Sequence, residues 1–294
     1  YEISLGLVGS EMCIRDRFVI ALLMLGIALF VTEYLSEEKI QTKRTMVSIL
    51  AMVVGCFSKA VYIPFLALYW LMPKDKFYSR RQKNLFKAGI FVLLILMFAS
   101  FILPLIGNVT SGAEVGDYRG GDTSQTSQLS MILGYPLTYT GVLLKSLGTT
   151  FASYFIGSKV LANFAYRGIY DGIGYFVVLL TMLFTFVTDF GMTEKTYDAQ
   201  MKRKILMMKI WNAVLIFGTA CLVWTALYLD FTPVGSMVIN GVSPRYYLPL
   251  IFPLSFIFIN QKVRCSMKLE NYQSLIAFLM LIGTGISIYC LMLA

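Results

Sequence analysis

The chain has no histidine. That absence removes Ser-His-Asp and Cys-His nucleophiles, H-E-x-x-H zinc sites and histidine proton relays from the chemistry open to these residues. Catalysis would have to rest on carboxylates, Lys, Arg, Tyr or a carboxylate-bound metal. Charge is also scarce: Asp, Glu, Lys and Arg make up 14% of the 294 residues, against about a quarter in soluble domains. The five cysteines, Cys13, Cys56, Cys221, Cys265 and Cys290, form no C-x-x-C pair. They read as small buried apolar residues rather than as metal ligands. The sequence carries no internal repeat and no low-complexity tract.

What the chain has in excess is apolar length. Hydrophobic residues make up 57%, mean hydropathy is +0.71, and several runs reach the ~18 residues that mark a transmembrane helix. This predicts an all-α, polytopic integral membrane bundle. The net charge of +9 sits in connectors between spans, as the positive-inside rule requires, so it is not a nucleic-acid footprint. Spans are expected at residues 18–35, 85–107, 170–190, 205–229, 246–259 and 272–293. The stretch 45–72 fits either one long tilted helix or a hairpin of 45–57 and 60–72 turning near Lys59. Residues 108–167 form an external loop with an amphipathic surface helix beginning at Pro136. Residues 1–17, YEISLGLVGSEMCIRDR, closely resemble translated sequencing-adapter read-through. The expectation is a non-native leader, native sequence from about Phe18, and an N-terminally truncated chain.

Arg245 and Lys59 are the sharpest single residues. The apolar run after Arg245, YYLPLIFPLSFIFI, would cover only ~21 Å of a ~30 Å core as a helix, which draws Arg245 below the membrane surface. A guanidinium at that depth suits a phosphate, although a snorkelling interfacial anchor is the plainer role. Lys59 lies in the middle of an apolar stretch, where a charge costs about 2.5–3.5 kcal/mol on insertion. It could meet a phosphate or simply cap a turn. Glu114, Asp117 and Asp122, with Arg119, could bind a divalent cation or supply a base, or could be a solvated loop. Trp70, Trp224, Tyr246 and Tyr247 read as interfacial aromatics.

Four segments occur together in order: GCFSKAVYIPFLAL, GGDTSQTSQLSMILGYP, GIYDG and GVSPRYYLPLIFP. With them the chain resembles the DUF2142 family of predicted bacterial membrane proteins, whose plan is similar to GT-C glycosyltransferases. The resemblance implies transfer of a sugar from a polyprenyl-phosphate donor, at the outer face of the cytoplasmic membrane, to a cell-wall or surface polymer. By motif position it implies Lys59 and Arg245 at the lipid phosphate, and a substrate loop containing Asp117, Arg119, Asp122 and Gln128. The GT-C plan puts the catalytic carboxylate in an external loop upstream of Phe18. Pro244 stands where the family pattern often has Gly. An O-antigen-type polymerase or ligase, a transporter, or a non-catalytic envelope-assembly subunit would share most of these features. The cofactor is open, with a divalent cation the one candidate, and the implied partners are membrane lipid and the lipid-linked sugar.

Overall fold

The computed structural model describes residues 2–111, 122–163, 168–188, 198–258, 263 and 265–293. Among them the chain is helical, with a single isolated bridge between Asn163 and Ile169. The α-helices are α1 (Glu2–Leu35), α2 (Thr42–Phe57), α3 (Arg80–Ser111), α4 (Gln125–Gly134), α5 (Pro136–Phe155), α6 (Ser158–Leu161), α7 (Ile173–Thr188), α8 (Ala199–Phe231), α9 (Leu248–Ser255) and α10 (Leu269–Leu293). A 3-10 helix, Ala60–Leu71, follows α2, and a 3-10 turn, Pro244–Tyr247, precedes α9. Among the described residues, four segments are long and apolar enough to cross a membrane: Asp16–Leu35, Arg80–Pro104, Ala199–Phe231 and Leu269–Met292. Large apolar side chains stand bare along them, Leu96, Leu103 and Leu281 among them. Such faces are stable only against lipid or another protein. The chain folds into two compact units, Tyr1–Gly148 with Trp211–Ser243, and Thr149–Ile210 with Pro244–Ala294.

The first unit is built around the 3-10 helix. Pro64 lies inside it, and Tyr62, Ile63, Phe65, Leu66, Leu68 and Tyr69 are all essentially inaccessible. α1 and α2 pack antiparallel through small residues. A Cβ at Gly26 would fall 2.5 Å from Met52 Cγ, and one at Gly55 would meet Leu22 Cβ at 3.2 Å. Ser48 Oγ donates to the Gly26 carbonyl at 2.6 Å, so the Tyr69 hydroxyl, 2.5 Å away, must donate to Ser48. Trp211 Nε1 on α8 donates to the Ala67 carbonyl at 3.0 Å. Lys87 Nζ on α3 donates to the Trp70 carbonyl at 3.0 Å. Trp224 is buried on α8 rather than interfacial, because this helix packs its aromatic face into the protein.

Basic residues gather at one end of this unit. There the connectors 36–41 and 73–79 are clasped together. Lys76 is 1% exposed, and its ammonium donates to the carbonyls of Ser36 at 2.7 Å and Glu38 at 2.9 Å. These carbonyls lie just past the C-terminus of α1, where a cation opposes the helix dipole. Lys39 Nζ returns the arrangement with a 2.7 Å bond to the Asp75 carbonyl. Glu33, also 1% exposed, accepts the Gln41 N–H at the start of α2 at 2.9 Å and faces Arg44 at 3.5 Å.

In the second unit α7 and α10 cross antiparallel, with Gly174 set against the Gly283 carbonyl and Ser287. Small residues allow that close approach. At the other end of the pair Thr188 Oγ1 lies 2.9 Å from the Tyr272 hydroxyl. Tyr247 is 1% exposed and sits edge-on to Tyr154 at 5.5 Å and Phe155 at 4.8 Å. It is a core residue rather than an interfacial anchor.

Candidate functional site

Lys59 is placed by a break in the helix. α2 ends at Phe57, Lys59 is extended with φ −151° and ψ 97°, and the 3-10 helix starts at Ala60. The break puts the ammonium at the end of the first unit opposite the basic connectors. There it pairs with Asp16 Oδ1, both side chains being mostly covered. Asp16 lies inside the leader that the sequence reading set aside, so nothing in the residue pattern pointed to this pair.

A second cluster forms just past the C-terminus of α8. Trp211 touches the late part of the 3-10 helix, and α8 then runs 20 residues further to Phe231, about 30 Å at helical rise. Here residues 122–128 are pinned down. The Asp122 carbonyl accepts from the Val234 N–H at 3.1 Å. Ser124 caps α4, its side chain accepting from the Ser127 N–H, as an N-cap serine does. Gln125 Nε2 donates to Asp230 Oδ1 at 2.6 Å. Gln128 is fully buried, and its Nε2 donates to the carbonyls of Thr232 at 2.9 Å and Pro233 at 3.0 Å. The Gln125 and Gln128 spacing of i, i+3 puts both amides on one face of α4. On the oxygen side, Thr123 Oγ1, Gln125 Oε1 and Gln128 Oε1 are buried and accept no hydrogen bond among the described residues. Buried polar atoms of this kind call for a water or ligand donor. Behind them α5 leans on α8. The Tyr139 hydroxyl is 2.6 Å from Thr225 Oγ1, and burial pushes that phenol's pKa up, so it stays a neutral hydrogen-bonding group.

Of the residues singled out from the sequence, Lys59, Asp122 and Gln128 therefore fall in the first unit. Asp122 is exposed while Gln128 is buried. Arg245 belongs to the second unit, on the 3-10 turn, half-buried, its Cζ 5.6 Å from the centre of the Tyr246 ring, within cation–π range. α9 behind it is eight residues long with Pro249 at its start and Pro253 inside, about 12 Å of helix. Asp117 and Arg119, with Glu114, lie outside the described residues. Thr123 and Gln125 fall in the 122–128 segment that the motif singles out, whereas Asp230 escaped the sequence reading, because no local pattern reveals a partner a hundred residues away. Among the described residues no group of three or more Cys, Asp or Glu side chains could hold a metal ion.

Buried helical cores, bare apolar outer faces and, among the described residues, four span-length helices define a multi-pass, all-α membrane protein. The family model for DUF2142, predicted membrane protein, matches residues 13–254, and the chain belongs to that family. No curated protein and no solved structure matches it.

Proposed function

We propose that the chain is part of a membrane glycosyltransferase. It would move a sugar from a polyprenyl-phosphate donor, on the outer face of a bacterial cytoplasmic membrane, to a cell-wall or surface polysaccharide. The observation that carries this reading is the row of buried acceptors on the 122–128 segment, Thr123 Oγ1, Gln125 Oε1 and Gln128 Oε1. Sugar hydroxyls are the donors such oxygens accept. Lys59, also in the first unit, supplies a cation for the departing lipid phosphate. A glycosyl phosphate already has a good leaving group, so the protein must stabilise the phosphate charge and deprotonate the acceptor. The family resemblance also implies a phosphate role for Arg245, through its place in the GVSPRYYLPLIFP motif; it belongs to the second unit and is tested on its own. The base would be a carboxylate of an external loop, as the likeness to the GT-C plan implies.

The test uses the full-length protein in proteoliposomes with a polyprenyl-phosphate-linked, radiolabelled sugar. Transfer of label from lipid to acceptor supports the reading, and Lys59→Ala and Arg245→Ala should each lower its rate at least tenfold at normal abundance. Normal transfer in both variants overturns the residue assignments. Sequencing the source DNA across the codons for Arg17 and Phe18 tests the chemistry itself: an upstream external loop with Asp or Glu supports transfer, and one with no carboxylate ends the enzyme reading.

A further inference from the structure

A different part of the first unit points to a second ligand. Trp70 at the end of the 3-10 helix and one face of α3 enclose an open, apolar groove of about 490 Å³. Its α3 wall includes Phe91, Ile95, Phe98 and Ile102, spaced four, three and four residues apart, which is one helix face. Trp70 stacks on Phe91 at 6.3 Å with a 23° interplanar angle and closes the groove at its basic end. From Phe91 to Ile102 the groove runs about 17 Å, close to half of a ~30 Å hydrocarbon core. Its length is therefore that of one leaflet.

The same α3 face continues past the groove as Lys87 and Lys83, one and two turns nearer the basic end. Lys87 is anchored by its bond to the Trp70 carbonyl, and Lys83 and Lys74 are close enough to act on it electrostatically. An ammonium has three donors, so Lys87 can hold this carbonyl and still meet an anion. Three like charges gathered at the mouth of an apolar groove repel one another unless an anion sits between them. We propose that this surface binds one anionic glycerophospholipid of the leaflet at the basic end, with its phosphate at Lys74, Lys83 and Lys87 and an acyl chain along the groove. Two features of one ligand are matched by two adjacent features of one helix face, which a general lipid-facing surface would not provide. Basic pockets beside transmembrane helices bind anionic headgroups in this way.

Native mass spectrometry of the full chain, purified in detergent and titrated with phosphatidylglycerol or phosphatidylcholine, reads the site directly. The expected result is one retained phosphatidylglycerol per chain, bound at least tenfold more tightly than phosphatidylcholine. Lys74→Gln with Lys83→Gln leaves the Lys87 to Trp70 bond in place and should abolish that preference, while Lys43→Gln with Arg81→Gln removes as much charge off this face and should leave it. Ala99→Trp, which fills the groove, should cut retention of phosphatidylglycerol. Equal retention of both lipids, an unchanged preference in the Lys74/Lys83 variant, or full retention in Ala99→Trp overturns the proposal. So does displacement by an added polyprenyl phosphate at lower concentration than phosphatidylglycerol, which would make a different lipid the occupant.

Discussion

Lys59 and Lys76 are the same residue type put to opposite uses. Lys76 is sealed at the basic end with its donors on carbonyls just beyond α1. Removing its charge strands those acceptors, so Lys76→Met is expected to cost about 3 kcal/mol and to lower Tm of the purified protein, whereas Lys43→Met, at an exposed position, should leave Tm nearly unchanged. Gln128 is a parallel case elsewhere in the unit. Gln128→Ala leaves the Thr232 and Pro233 carbonyls without their amide donor, for an expected loss of about 1–3 kcal/mol. Hydrogen exchange should then quicken in residues 122–134 and 232–240 together, since each holds the other. If only one segment loosens, the clamp is not what orders them. Lys59 was legible in the sequence because a charge inside an apolar run is costly wherever it sits. Lys76 was not: in a string of basic connector residues nothing distinguishes the buried one from its solvated neighbours. Gln128 could be singled out only by its motif, and its carbonyl partners lie more than a hundred residues downstream.

The apolar runs announced an all-α membrane protein, because an 18-residue apolar segment has few ways to satisfy its backbone in lipid. What the runs could not announce is the 3-10 helix. Residues 60–71 are more apolar than α2, and intrinsic preference favours α over a 3-10 run of this length. The tighter, longer winding at ~2.0 Å per residue carries 12 residues across about 24 Å, and contacts from α2, α3 and Trp211 hold it. Packing between neighbours is likewise decided by side-chain volume at single points. Gly26→Leu would drive its side chain into Met52 and the Ser48 carbonyl, and Gly174→Leu would do the same to Gly283 and Ser287. Each should reduce folded yield in membranes severely, and protease cleavage should appear first in the unit that carries the change. Gly89→Leu is the control, since open space surrounds that position and near-normal yield is expected.

For the whole molecule the decisive quantity is which end faces the cytoplasm. Lys74, Lys76, Arg80, Arg81, Lys83 and Lys87 cluster after the 3-10 helix, whereas residues 231–243 contain no Lys or Arg at all. Translocating that basic cluster is unfavourable, so the positive-inside rule puts the clasped connectors in the cytoplasm and the Lys59 end outside. The orientation can be read with single cysteines in a chain whose five native cysteines are replaced. Val234→Cys, at a 48% exposed position, is expected to react with a membrane-impermeant maleimide in intact cells. Tyr78→Cys, at a 77% exposed position, should react only after permeabilisation. The reverse pattern would turn the molecule over. Lys59 and the buried acceptors of the 122–128 segment would then face the cytoplasm, where an outer-face sugar donor never arrives, and the groove beside Lys87 would open to the outer leaflet instead. One labelling experiment thus bears on both proposals, because each requires its site on a stated side of the membrane.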